Sequence, residues 1–118
     1  MQRNNSQKEK KILIIHTGGT IGMKKTENGY TPVAGYLAGE LKNIPDLNRY
    51  DFPAWALYEM SPLLDSSNMS VDEWNEIDKV IYENYSDYAG FVILHGTDTM
   101  AYTASALSFM LEGIDKPV

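Results

Sequence analysis

Three observations predict an α/β fold built on a doubly wound, mostly parallel sheet. Two short apolar runs, residues 12–15 (ILII) and 91–94 (FVIL), each empty into a loop that carries glycine and threonine, HTGGTIG at 16–22 and HGTDTM at 95–100. Such runs, bounded by turn residues, fit strands covered on both faces, as in parallel sheets. Strand, helix and strand patterns also alternate along the chain with no internal repeat, the signature of βαβ units. In an open sheet of this kind the carboxyl ends of neighbouring strands face one crevice, so loops far apart in sequence can converge on one ligand. Thr17, Thr20, Thr97, Asp98 and Thr99 are therefore candidates for a single constellation.

The 118 residues suffice for one small domain, and a hydrophobic content of 43% is ordinary for a globular fold. The absence of cysteine excludes a disulfide framework, thiolate catalysis and cysteine-held zinc or iron–sulfur centres within these residues. The start of the chain, MQRNNSQKEKK, has no apolar core of a signal peptide, and no later apolar run is long enough to span a bilayer. A soluble, cytoplasmic protein with no membrane partner is expected. The net charge is −6, yet the first 11 residues hold four basic side chains against Glu9, which leaves −9 on the remainder. An acidic body argues against nucleic acid as the partner. Residues 1–10 read as a disordered basic leader, and the domain as 11–118.

The elements follow in order. After the first strand and its glycine loop, MKKTENGYTPVAGY (23–36) is polar and turn-rich, and its Asn28–Gly29 pair favours a tight turn. It reads as a mobile flap. Residues 34–43 suit a short helix ending near Asn43 and Pro45, followed by a loop at 45–53 and a strand around 56–60. Ser70 and Glu73 have the spacing of a capping box, with Met69 and Trp74 placed as a hydrophobic staple, so a helix starts at Ser70. Its apolar stripe is Trp74, Ile77, Ile81 and Tyr85. Gly90 ends that stretch before the second buried strand. A further helix is predicted from about Thr99 to Leu111, rich in alanine and serine, with Glu112 and Gly113 closing it. Asp115 to Val118 read as the lead into another strand, so the domain is expected to be cut in mid-element.

Thr20 lies on a glycine loop beyond a buried strand, where Gly18 and Gly19 let a substrate approach the backbone, so its hydroxyl is a candidate nucleophile. A nucleotide-binding turn is the competing reading, although TGGTIG is not the G-x-G-x-x-G pattern. Thr97 and Asp98 set a hydroxyl beside a carboxylate at a helix start, which serves either a site or plain N-capping. Pairing with the first loop favours the site. His16 and His95 each follow a buried strand and read as hydrogen-bonded structural histidines rather than bases or ligands. No metal is expected, because no His/Asp/Glu set has ligand spacing. In DSSNMS (65–70), Ser70 already serves as the cap, which leaves Asp65, Ser66 and Ser67 free for a ligand.

Taken with these loops, the chain resembles the L-asparaginases, and specifically the cytosolic bacterial type I branch. TGGTIG, GYTPVAGY, LLDSSNMS and GFVILHGTDTMAYTASALSFML match its pattern in order, over roughly residues 11–118. The resemblance implies the Rossmann-like or flavodoxin-like amino-terminal domain of an asparaginase, truncated in its last strand. It implies hydrolysis of L-asparagine to L-aspartate and ammonia with no cofactor, in an enzyme that assembles as a homodimer or homotetramer. Thr20 then matches the nucleophile, Tyr30 the flap tyrosine that closes over it, and Thr97 the second catalytic threonine. Asp65, Ser66 and Ser67 match the segment that grips the substrate's α-carboxylate end, and Asp98 matches the partner of its α-ammonium group. The family's second threonine and aspartate work with a lysine further along the chain, a position that Lys116 does not occupy, and the family's carboxy-terminal domain does not fall within these residues. Residues 1–118 alone are accordingly expected to be inactive. Glutaminase-asparaginases and the amidase-like subunit of a transfer-RNA amidotransferase share these loops, and a non-catalytic ligand-binding module is the reading from another class.

Overall fold

The computed structural model describes residues 11–118, apart from the side chain of Ser66; the basic leader at 1–10 lies outside the described residues. Strand β1 (Ile12–Gly18) is central, with β4 (Trp55–Leu64) and β5 (Gly90–Leu94) pairing parallel to it on either side. Ile12 stands level with Trp55 and Gly90, and His16 with Glu59 and Leu94. The first parallel strand in the chain thus lies between the second and the third. The chain reverses its direction of travel across the sheet at β1 and β5, and ligands in open α/β sheets bind at such a switch point.

Side chains alternate between the two faces of β1. Leu13 and Ile15 join Met60 and Phe91 in a buried cluster with Ile77, Val80 and Ile81 of helix α2 (Val71–Asn84) and Leu107 of α3 (Met100–Met110). On the opposite face, Ile14 packs with Leu37 and Leu41 of α1 (Tyr36–Lys42). Helices therefore lie on both faces of the parallel sheet, as the apolar runs predict, although Val92 of β5 remains 46% exposed.

The capping box forms as expected. The Ser70 backbone N–H donates to Glu73 at 2.8 Å, and the Ser70 hydroxyl also donates to that carboxylate, which holds the Glu73 carboxyl below its ordinary range. At the other end of α1, the Asn48 amide donates to the carbonyls of Leu41, Lys42 and Ile44, closing a helix end that would otherwise leave acceptors open. The short helix predicted at 34–43 occupies 36–42, and the strand predicted at 56–60 extends over 55–64.

The polar flap is a β-hairpin. Strands β2 (Met23–Thr26) and β3 (Gly29–Pro32) pair antiparallel, and Glu27 and Asn28 form the loop between Thr26 and Gly29. Gly29, at φ 93°, supplies the left-handed residue, while the Thr26 hydroxyl donates to the Gly29 carbonyl at 2.8 Å and accepts the Asn28 N–H at 3.3 Å. The Phe91 N–H of β5 donates to the carbonyl of Pro117 at 3.0 Å, so the segment after α3 runs back alongside the start of that strand.

Candidate active site

Gly18 and Gly19 make the site possible. Both hold positive φ, 139° and 85°, which L side chains rarely adopt. A methyl on Gly18 would overlap the backbone of Leu64 at the end of β4, and a methyl on Gly19 would lie 2.8 Å from both Cα and N of Gly96, just beyond β5. The Gly19 N–H donates to the Leu64 carbonyl at 3.1 Å. The loop after β1 is therefore wedged, backbone to backbone, between the loops after β4 and β5. The three predicted segments, around Thr20, Asp65–Ser67 and Thr97–Asp98, begin from this one contact.

Thr20 opens a short 3₁₀ turn (Thr20–Gly22) and is exposed. Thr97 and Asp98 are exposed on the loop before α3, whose N-cap is Thr99. Asp65 and Ser67 are also exposed; the Ser67 N–H donates to Asp65 Oδ1 at 3.1 Å, so the carboxylate shapes the turn that presents the serines. Ser66 lies in the 3₁₀ turn Ser66–Asn68, its side chain being outside the described part. Tyr30 sits on β3, two-thirds exposed at 66%, and β3 packs against the Thr20–Gly22 turn. The hairpin thus stands beside the candidate nucleophile.

Thr17 departs from the expected constellation. It is 1% exposed, and its hydroxyl donates to the Leu94 carbonyl at 2.9 Å, stitching β1 to β5. The reason is parity: β1 continues to Gly18, so residue 17 points to the same buried side as Leu13 and Ile15.

His95 is held as a structural histidine. Trp74 Nε1–H donates to Thr103 Oγ1 at 2.9 Å, and Thr103 Oγ1 lies 2.8 Å from His95 Nε2, while His95 Nδ1 meets the Gly96 carbonyl. Indole N–H only donates and a carbonyl only accepts, so for a neutral ring the order is Trp74 to Thr103, Thr103 to Nε2, and Nδ1–H to Gly96. This relay ties the Thr97–Asp98 loop to α2 and α3. Replacement Thr103→Val keeps the shape but leaves the indole N–H and Nε2 unpaired in a part-buried site, and should lower stability by about 1–3 kcal/mol in denaturant unfolding. An unchanged midpoint would remove the relay from the list of supports.

Among the described residues no group of three or more His, Cys, Asp and Glu side chains is placed to hold a metal ion. A cleft of about 450 Å³ lies between β5, α3 and the last residues, lined by Ile93, His95, Met100, Leu107 and Val118 among others. None of Thr20, Asp65 or Asp98 lines it; these residues are exposed on the loops that follow β1, β4 and β5.

Residues 11–118 match the family described as Asparaginase, N-terminal. The chain belongs to the asparaginase family. It is 54% identical over 110 residues to L-asparaginase 1 of Escherichia coli, an alignment that covers 93% of this chain and 32% of that protein. The structure of L-asparaginase I from Vibrio cholerae superposes with a TM-score of 0.82 at 53% identity, covering 93% of this chain and 32% of the other. The thermostable L-asparaginase from Thermococcus kodakarensis gives 0.69 at 37% identity, covering 84% and 29%. The chain thus spans about a third of the length of the relatives it matches. The expected α/β fold agrees with these asparaginase structures. Among the described residues no helix is long and apolar enough to cross a membrane.

Proposed function

We propose that this chain carries the reacting loops of a cytoplasmic L-asparaginase that works without a cofactor as a homo-oligomer. The observation that supports this best is the wedge of Gly18 and Gly19 between Leu64 and Gly96, which starts the three loops from one point at the switch of the sheet. L-Asparagine offers two fixed charges and an uncharged amide. Asp98 pairs with its α-ammonium group, and the Asp65–Ser67 turn receives its α-carboxylate end through the turn's donors. Both ends being held, the side-chain amide carbon lies within reach of Thr20, and orientation replaces much of the cost of encounter.

Thr20 Oγ then attacks that carbon and loses its proton. The C–N bond breaks, the nitrogen leaves as ammonia carrying the transferred proton, and an ester joins the aspartyl group to Thr20. Water, activated at Thr97, adds to the ester carbon, and the C–O bond to Thr20 breaks to give aspartate and the free hydroxyl. Tyr30 on the hairpin closes over the nucleophile. The family resemblance pairs Thr97 with a lysine beyond residue 118, so the assay belongs on the full-length protein.

Ammonia release should be several-fold faster from asparagine than from glutamine at equal concentration. A preference for glutamine, or turnover only in the presence of charged transfer RNA, selects one of the alternative amidases, and ligand binding with no turnover selects a binding module. Asp98→Asn removes the charge partner of the α-ammonium group, and KM for asparagine should rise by roughly ten- to a hundredfold, consistent with a charge-assisted hydrogen bond of about 1.5–3 kcal/mol. An analogue lacking that amine should lose little. Equal losses on both substrates would count against this role.

A further inference from the structure

We propose that His16 is a positioning residue, coupling the Thr20 turn to the base of the β2–β3 hairpin in a way that depends on pH; the inference rests on the amide-hydrolysis reading above. His16 is fully buried, at 0% exposure, and neither ring nitrogen has a hydrogen-bond partner among the described residues. Buried polar atoms are normally paired, and an unpaired one calls for a reason. Its position supplies one. Strand parity puts its side chain on the α1 face with Ile14, and the Thr20–Gly22 turn folds back over the ring so closely that a methyl on Gly22 would overlap Nε2 and Cε1. The imidazole is the floor on which the nucleophile's turn rests.

Level with His16 on β4 stands Glu59. Its two carboxylate oxygens each accept the Gly35 N–H at 3.1 Å. Gly35 is the N-cap of α1 and lies three residues beyond the end of β3, so this contact fastens the foot of the hairpin that bears Tyr30. One carboxylate therefore stands between the ring under Thr20 and the anchor of the flap. The remaining elements around the ring bring no competing charge: β5 presents Leu94 at this level, the 20–22 turn has no ionisable side chain, and on α1 the side chains of Glu40 and Lys42 are exposed and Tyr36 is half-buried.

Burial lowers the pKa of His16 from its ordinary 6.5, and the charge of Glu59 acts in the opposite sense. The ring is neutral at neutral pH. Below that range a proton on the ring puts a positive charge in a dry slot, with Glu59 as its nearest relief. The carboxylate that turns to the imidazolium gives up Gly35, and the hairpin foot is released while the turn above loses its floor. The unfolded chain binds this proton more readily than the folded one. The contribution of neutral His16 to stability is therefore complete above about 6.5 and is lost as pH falls through the lower folded-state value.

The test uses the full-length protein from about pH 8 to about pH 5, the range in which histidines change charge. Two quantities are read on the same samples: kcat/KM for asparagine, and the rate of limited proteolysis within residues 23–32. In the wild type, cleavage should rise by up to about tenfold per pH unit as kcat/KM falls, the steepest response that a single linked proton allows. His16→Phe fills the slot but cannot titrate, and should flatten both profiles whatever its absolute rate. Glu59→Gln keeps an acceptor for Gly35 and should move both midpoints to lower pH. A wild type whose hairpin cleavage ignores pH, or a His16→Phe profile that coincides with the wild type, overturns the proposal. If His16→Phe fails to fold, an unmoved midpoint in Glu59→Gln overturns it equally. Absence of asparagine turnover at every pH refutes the hydrolysis reading instead, and the cleavage profile still decides the role of His16.

Discussion

Thr20→Ala in the full-length protein should abolish asparagine hydrolysis, lowering kcat by on the order of 10³-fold or more, while substrate affinity changes only slightly. The asymmetry follows from what the hydroxyl does. In the mechanism proposed above it forms the covalent bond in the first half of the reaction and is the leaving group in the second, so both steps should fail together. In the same proposal ground-state binding rests on the two charged ends of the substrate, held by Asp98 and the Asp65–Ser67 turn, neither of which is altered. A residue required only in the transition state lowers kcat and kcat/KM alike and leaves the dissociation constant close to its original value. The fold should tolerate the change, because Thr20 is exposed and the turn's close contacts are made by Gly18, Gly19 and Gly22. Ammonia release and aspartate binding, measured on the same preparation, check both halves. Undiminished turnover would remove Thr20 from the nucleophile's role, and a parallel loss of binding would make it a binding group instead.

The parts of this architecture that were legible in the sequence are those whose burial leaves a pattern. The runs at 12–15 and 91–94 are apolar, and helices lie on both faces of the sheet, Val92 alone of these staying exposed; helix α2 announces itself through its capping box and the spacing of Ile77 and Ile81. The hairpin left no such trace. MKKT and GYTP have no apolar side to hide, since both strands lie mainly against water, and only the turn at Asn28–Gly29 was visible. Helix α3 is apolar nearly all round, so its sequence could not say which stripe faces inward. Thr103 and Leu107 are buried, whereas Tyr102 and Phe109 remain 69% and 81% exposed.

At the site, the meeting of the loops after β1 and β5 follows from the logic of parallel sheets, but the supports around it are contacts between distant segments. Glu59 on Gly35, and Trp74 through Thr103 to His95, join residues 24, 29 and 8 positions apart, and no local pattern encodes them. Thr17 could have been excluded from the constellation by parity alone, had the first strand been extended to Gly18. His95 agrees with its expected structural role, whereas His16, expected to be hydrogen-bonded, is buried without a partner among the described residues.

Gly19→Ala should disrupt the contact between the loops after β1 and β5, and Gly29→Ala provides its control. Both glycines hold similar positive φ, 85° and 93°, so each substitution incurs a backbone cost of about 1–2 kcal/mol for forcing an L-residue into that region. The surroundings differ. Nothing lies within 4 Å of a methyl on Gly29, whereas a methyl on Gly19 meets Cα and N of Gly96 at 2.8 Å, backbone that cannot swing aside as a side chain can. The relief open to Gly19→Ala is to part the loops after β1 and β5, and those loops carry Thr20 on one side and Thr97 and Asp98 on the other. Displacements of about 1 Å at a reacting centre can cost about a hundredfold in rate. Gly29→Ala should therefore lower stability by about 1–2 kcal/mol and leave kcat near the wild-type value. Gly19→Ala should lose at least about a hundredfold in kcat beyond any fall in stability, read at a temperature where thermal unfolding shows both variants folded. Equal behaviour of the two variants would mean that the contact between Gly19 and Gly96 does not set the geometry of the site, and that the convergence of the three loops is maintained by other contacts.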